Sequence, residues 1–109
     1  MLVQAGSKGA APMIFADLEY AGEYWDFHEE LKAFVYSHFS LVESGLQSDS
    51  WFWIFDDEEK VAIDTFSSMK HQVKSAKAGA HVEHVIATLR LKYAVRMYPE
   101  PELEGNEDG

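Results

Sequence analysis

Along SWFWIF, Trp51, Trp53 and Phe55 alternate with Phe52 and Ile54, a period of two that sends successive side chains to opposite faces of a strand. After Asp56-Asp57-Glu58-Glu59 the alternation resumes through Val61-Ala62-Ile63-Asp64-Thr65-Phe66. A loop of two or four residues over those acids pairs Phe55 with Lys60, Trp53 with Ala62 and Trp51 with Asp64. A two-residue turn at Ser67-Ser68 then sets Phe66 beside Met69, Asp64 beside His71 and Ala62 beside Val73. One face of this ribbon is thus predicted to carry Trp51, Trp53, Phe55, Asp64, Phe66, Met69, His71 and Val73. The other carries Phe52, Ile54, Val61, Ile63 and Thr65 and turns polar at Lys70, Gln72 and Lys74. A sheet wet on one side shows a clean hydrophobic-polar alternation; this hairpin is apolar on both. Helices of the same chain are expected to cover one face, and a partner, a ligand or the chain's own ends the other. An odd-length connection exchanges the faces, because a slip of one residue reverses every side chain.

The same reading extends over the rest of the chain. Met13 to Tyr20 predicts a first strand, with Ile14, Ala16, Leu18 and Tyr20 on one side and Gly22 at its end. Tyr24, Phe27, Leu31, Phe34, Val35 and Phe39 recur at helical spacing and predict a helix over 23–39. Trp25 and Tyr36 fall off that stripe, and His28 and His38 are placed on its solvent-facing flank. Leu41 to Gln47 reads as a strand weakened by Gly45. A second helix is predicted over 80–92, with Arg90 and Lys92 in its last turn where they favour the dipole. Ala94 to Tyr98 is a last strand, terminated at Pro99. The order β-α-β-β-β-β-α-β, with strands consecutive through the middle, gives an α+β fold: a single, mainly antiparallel sheet with two helices packed on one face. Residues 1–12 are expected to be a flexible leader, 13–98 one domain and 99–109 an acidic tail.

Composition narrows the function classes. The 109 residues contain no cysteine, which removes disulfides and thiolate chemistry and suits a cytoplasmic location. No apolar run approaches the ~20 residues that span a bilayer, so no membrane partner is expected. The net charge of −10 argues against binding nucleic acid, which needs basic residues to displace counterions. That charge is unevenly spread. Residues 1–65 carry −10, residues 66–98 carry +5 and residues 99–109 carry −5. Such a bipolar chain favours self-association.

The run WFWIF…KVAIDTFSSMKHQVKS, with PEPELE downstream, resembles short bacterial hypothetical proteins carried on the mobile gene cassettes of integrons. The resemblance covers the middle and end of the chain. It implies a bacterial, cytoplasmic protein of a mixed group in which homo-oligomers with small pockets are frequent, and it transfers no catalytic residue.

For chemistry, Asp64 and His71 are the sharpest pair. The register above sets them opposite each other beside Trp51, and a carboxylate that fixes an imidazole in an apolar pocket is an acid–base arrangement. A buried polar pair that stabilises the sheet is the plainer alternative. His81 and His84 are spaced for one helix face and permit a metal contact geometrically, but the sequence defines no third ligand, so no metal is assigned. The acids 56–59 lack the spaced oxygens of a calcium loop and read as a charged hairpin turn. No Gly-rich phosphate loop or nucleophile elbow is present, and no cofactor is implied. Trp51, Trp53, Phe66, Phe52, Ile54, Val61 and Ile63 are the candidates for a ligand-binding or interface surface, since large apolar patches mark contact sites. The leading expectation is a non-enzymatic, self-associating binding module, a dimer for preference, with a small-molecule pocket. The alternatives are a small pocket enzyme that uses Asp64 and His71, and an acidic immunity- or antitoxin-like protein that masks a basic partner.

Overall fold

The computed structural model of the chain describes residues 12–103. Residues 1–11 of the leader expected at 1–12, and the part of the expected tail beyond Leu103, lie outside the described residues. Six strands and two helices follow in the predicted order: β1 (Met13–Glu19), α1 (Tyr24–His38), β2 (Val42–Leu46), β3 (Ser50–Asp56), β4 (Glu59–Asp64), β5 (Gln72–Ser75), α2 (Ala80–Leu89) and β6 (Ala94–Leu103). They form one open antiparallel sheet in the order β2-β3-β4-β5-β1-β6. The α+β class is as expected.

The β3–β4 hairpin has the predicted register, with Trp51 opposite Asp64, Trp53 opposite Ala62 and Phe55 opposite Lys60. Its turn is two residues, Asp57 and Glu58, both at positive φ (53° and 64°). That pairing of left-handed residues matches the twist of the flanking strands. Phe52, Ile54, Val61 and Ile63 therefore share one face and are wholly buried. There they meet Leu31, Phe34 and Val35 of α1 and Val82, Val85, Ile86 and Leu89 of α2. Burial contributes about 1.5–3 kcal/mol for each such side chain, so this face is the core. Among the described residues no helix lies on the other face.

Four expectations are corrected. The β4–β5 connection is not a two-residue turn at Ser67-Ser68: β4 ends at Asp64 and β5 begins at Gln72. The Asp64 Oδ1 accepts the Phe66 N–H (3.1 Å) and the Ser68 Oγ accepts the Lys70 N–H (3.2 Å), side-chain bonds that favour turns over a tight ladder. The register consequently moves by one: Asp64 stands opposite Gln72 and Ala62 opposite Lys74. Val73 turns into the core and Lys74 out of it. In β1, a bulge between Ile14 and Ala16 brings Phe15 into the core beside Ala16 and Leu18. Helix α2 ends at Leu89, so Arg90 and Lys92 follow it in turns whose N–H groups reach back to Ile86 and Leu89. Finally, β6 does not stop at Pro99 but runs to Leu103, with Glu102 and Leu103 opposite Ile14 and Met13. An edge strand tolerates proline because one row of its N–H groups has no ladder partner.

Candidate functional site

The face opposite the helices divides in two. Over β5, β1 and β6 it is polar. Asp17 Oδ1 accepts hydrogen bonds from Tyr98 OH (2.8 Å) and Gln72 Nε2 (3.1 Å), and Arg96 pairs with the same carboxylate. Over β3 and β4 it is aromatic. The Trp51 and Trp53 rings lie 4.7 Å apart, centre to centre, and Trp51 packs on Gly45 of β2. A methyl group at Gly45 would stand 2.6 Å from Trp51 Nε1, so only glycine admits the ring there. Phe66, in the β4–β5 connection, is half exposed, and Met69 beyond it is exposed.

Beside Trp53 this face opens into a cleft of about 420 Å³, within the usual range for small-molecule sites. Trp53, Ala62 and Phe66 form its apolar walls, and Asp64 and Lys74 lie at its floor. The two charges form an ion pair of 2.5 Å with 4% and 1% of their side chains exposed. Lys60 stands at the rim, its Nζ 4.2 Å from the centre of the Trp53 ring. Burying two charges is unfavourable unless they are paired and hydrogen-bonded. Here Lys74 Nζ also donates to Ser67 Oγ (3.2 Å) and Asp64 accepts the Phe66 N–H.

Asp64 and His71 are not brought together. The one-residue slip leaves Asp64 on the cleft face, while His71 enters the core. There it is the centre of a chain of four side chains: His28 Nδ1–Ser50 Oγ 2.6 Å, Ser50 Oγ–His71 Nε2 2.7 Å and His71 Nδ1–Tyr20 OH 2.8 Å. Burial pushes the Tyr20 hydroxyl up to about 12, so it remains a phenol. It donates to His71 Nδ1, His71 Nε2–H donates to Ser50 and the Ser50 hydroxyl donates to His28 Nδ1, a set of tautomers that gives each of these contacts one donor and one acceptor. Burial first, and His28 second, hold His71 down to about 3. His28 is likewise lowered, chiefly by burial. A serine between two imidazoles has the atoms of an activated nucleophile. Yet Ser50 and His71 are wholly inaccessible, and an imidazole so hard to protonate is a poor base for the serine. The chain satisfies buried polar groups and ties the segments that end β1 and lead into β5 to α1 and β3.

The other sequence candidates separate as follows. Trp51, Trp53 and Phe66 are on the open face, whereas Phe52, Ile54, Val61 and Ile63 are core and cannot meet a partner. His28, expected at the surface, is 3% exposed because Ser50 and the Phe52 ring receive it; His38 is exposed. His81 is buried, its Nε2–H shared between Lys77 O (3.0 Å) and Ser75 Oγ (3.1 Å). His84 instead turns outward to Asp56 (3.2 Å). Among the described residues no three His, Cys, Asp or Glu side chains are grouped to hold a metal ion. No described helix is long and apolar enough to cross a membrane.

Sequence reasoning missed Lys60, Lys74, Ser50 and Tyr20. Ser50 did carry a signal, since it shares the inward parity of Phe52 and Ile54, and a polar group at such a position must find a partner. Comparison of the chain with protein-family models, curated proteins and solved structures gave no match.

Proposed function

We propose that this protein is a non-enzymatic binding module that self-associates through the open face of its sheet and holds a small molecule in the cleft on that face. The observation that carries the reading is the aromatic group Trp51, Trp53 and Phe66, which lies on the face that no described helix covers. A second copy is the favoured occupant for two reasons. An apolar patch that meets its own image about a two-fold axis is self-complementary. Pro99 and Pro101 on β6 make edge-to-edge pairing unfavourable at that side. The absence of cysteine fits a reducing, cytoplasmic setting, and the integron-cassette resemblance fits a small bacterial oligomer.

Light scattering across a concentration series tests this. The expected result is a dimer mass that falls to the monomer mass in Trp53→Lys, with the melting of the isolated fold little changed. A monomer at the highest concentration reached would overturn it. The acid–base reading of Asp64 and His71 has lost its geometric support, because the two side chains point to opposite sides of the sheet.

A further inference from the structure

The cleft on the open face has a chemistry that selects among small molecules. We infer that it takes a small aromatic carboxylate, one or two rings in size, with the ring against Trp53 and Phe66 and the carboxylate at Lys60. This rests on the reading of the cleft as a ligand site and adds the class of ligand.

Charge decides the class. Lys74 is matched by Asp64 at 2.5 Å, and Glu59 at the rim is matched by Lys77 at 2.9 Å. Lys60 has no carboxylate partner among the described residues, and its contact is the face of Trp53. Among the described residues the lining and its ion pairs thus carry three ammonium groups against two carboxylates, a local balance of +1 within a protein of net charge −10. Glu43 stands directly opposite Trp53 on β2 but is not part of the lining. Charges farther than about 8 Å are largely screened at physiological salt, so the groups of the lining weigh most for a ligand in the cleft.

Shape decides the body. Trp53 and Phe66 both line the cleft, and their aromatic carbon favours a flat apolar group over a sugar or a phosphate ester. With the Lys60 ammonium already over the Trp53 face, a ligand ring that packs beside Trp53 has that ammonium next to it for its carboxylate. The Asp64–Lys74 pair at the floor adds a polar terminus. A pair so thoroughly buried contributes little net stability compared with apolar residues of the same volume. Its place under a cleft is therefore better accounted for by recognition than by folding.

The test uses three probes of one shape: 2-naphthoate, the neutral 2-naphthylmethanol and the cationic 2-naphthylmethylamine. Each is titrated into the full chain by calorimetry and NMR shift mapping, and light scattering is run on the same samples. The expected result is saturable binding of the naphthoate, about tenfold tighter than the alcohol, no saturation by the amine, and shifts confined to Trp53, Phe66 and Lys60. Lys60→Gln, an exposed and fold-neutral change, should bring naphthoate down to the affinity of the alcohol. Phe66→Ala should weaken both. No saturable binding of naphthoate, equal affinity for the three probes, or an anion preference that survives Lys60→Gln would each overturn the inference. Binding to a protein that scatters as a monomer leaves this inference standing and removes self-association; a dimer that ignores all three probes does the reverse.

Discussion

The Lys74 ammonium lies 2.5 Å from the Asp64 carboxylate on the sheet face opposite the helices, and both side chains are more than nine-tenths buried. Removing one partner leaves the other charge without its counterion in a poorly hydrated site. Asp64→Ala should therefore lower the unfolding free energy by about 3–5 kcal/mol, whereas the double change Asp64→Leu with Lys74→Met should be far milder. Urea unfolding at neutral pH measures both, and equal losses in the single and double variants would contradict the pairing.

The two faces of the β3–β4 hairpin should respond differently to truncation. Phe52 is fully buried and Phe66 is half exposed. Phe52→Ala should cost about 3–5 kcal/mol through lost contacts and the cavity left behind. Phe66→Ala should cost under ~1 kcal/mol in the isolated chain. Denaturant midpoints for the pair give the answer directly, and similar losses would mean the assignment of faces is wrong.

Gly45 is the seat of the Trp51 ring. An added Cβ would come within 2.6 to 2.7 Å of three ring atoms. Gly45→Ala should displace the indole and destabilise by about 1–3 kcal/mol, as overpacking does. Near-ultraviolet circular dichroism should lose part of its Trp51–Trp53 signal in the same variant. An unchanged spectrum with unchanged stability would show that the ring does not rest there.

The turn at Asp57-Glu58 is held in a conformation that L-residues adopt reluctantly, with φ at 53° and 64°. Glu58→Gly relieves that strain at the residue least suited to it, and should raise stability by about 1 kcal/mol despite the added freedom of the unfolded chain. Thermal melting of the variant checks this; a lower melting temperature would count against it.

Acid should unfold this protein in part through its inner histidines. His71 falls from the ordinary 6.5 to about 3 in the folded state, and His28 is also lowered. A histidine with a lowered folded pKa takes up protons more readily when unfolded. Its contribution is complete above the unfolded value and is lost as pH drops below about 6.5 towards the folded value, on the order of 5 kcal/mol across that window for His71. Urea midpoints should fall steadily from pH 7 to pH 4. Imidazole NMR should show His71 neutral throughout; titration near 6.5 would refute the buried chain. Ser50→Ala, which strips both imidazoles of a partner, should cost about 1–3 kcal/mol at pH 7.

How much of this was legible depended on whether the deciding partners were local. The Trp51–Asp64 register could be read because an even loop and strict alternation leave one solution. The next strand could not be placed the same way. Asp64 and Ser68 both bond nearby backbone N–H groups, and the longer turn they build moved Lys74, not His71, beside the cleft. Phe15 in the core depends on a bulge that no periodicity marks. Strand β6 passes Pro99 only because β6 is at an edge, which follows from the strand order and not from its own residues. His28 read as a surface residue because the groups that receive it, Ser50 and the Phe52 ring, are 22 and 24 positions away.

The insertion of β1 between β5 and β6 bears on how the chain can assemble during synthesis. The meander β2 to β5 is contiguous and can close soon after its last residue leaves the ribosome. The strand made first has one neighbour that ends at Ser75 and another that ends at Leu103, so its ladder is completed only when translation has passed both. Distant pairings of this kind are slow, since the loop must close before any bond rewards it. During that interval Phe15 and Leu18 lack their native cover and are the segment a nascent-chain chaperone would be expected to grip.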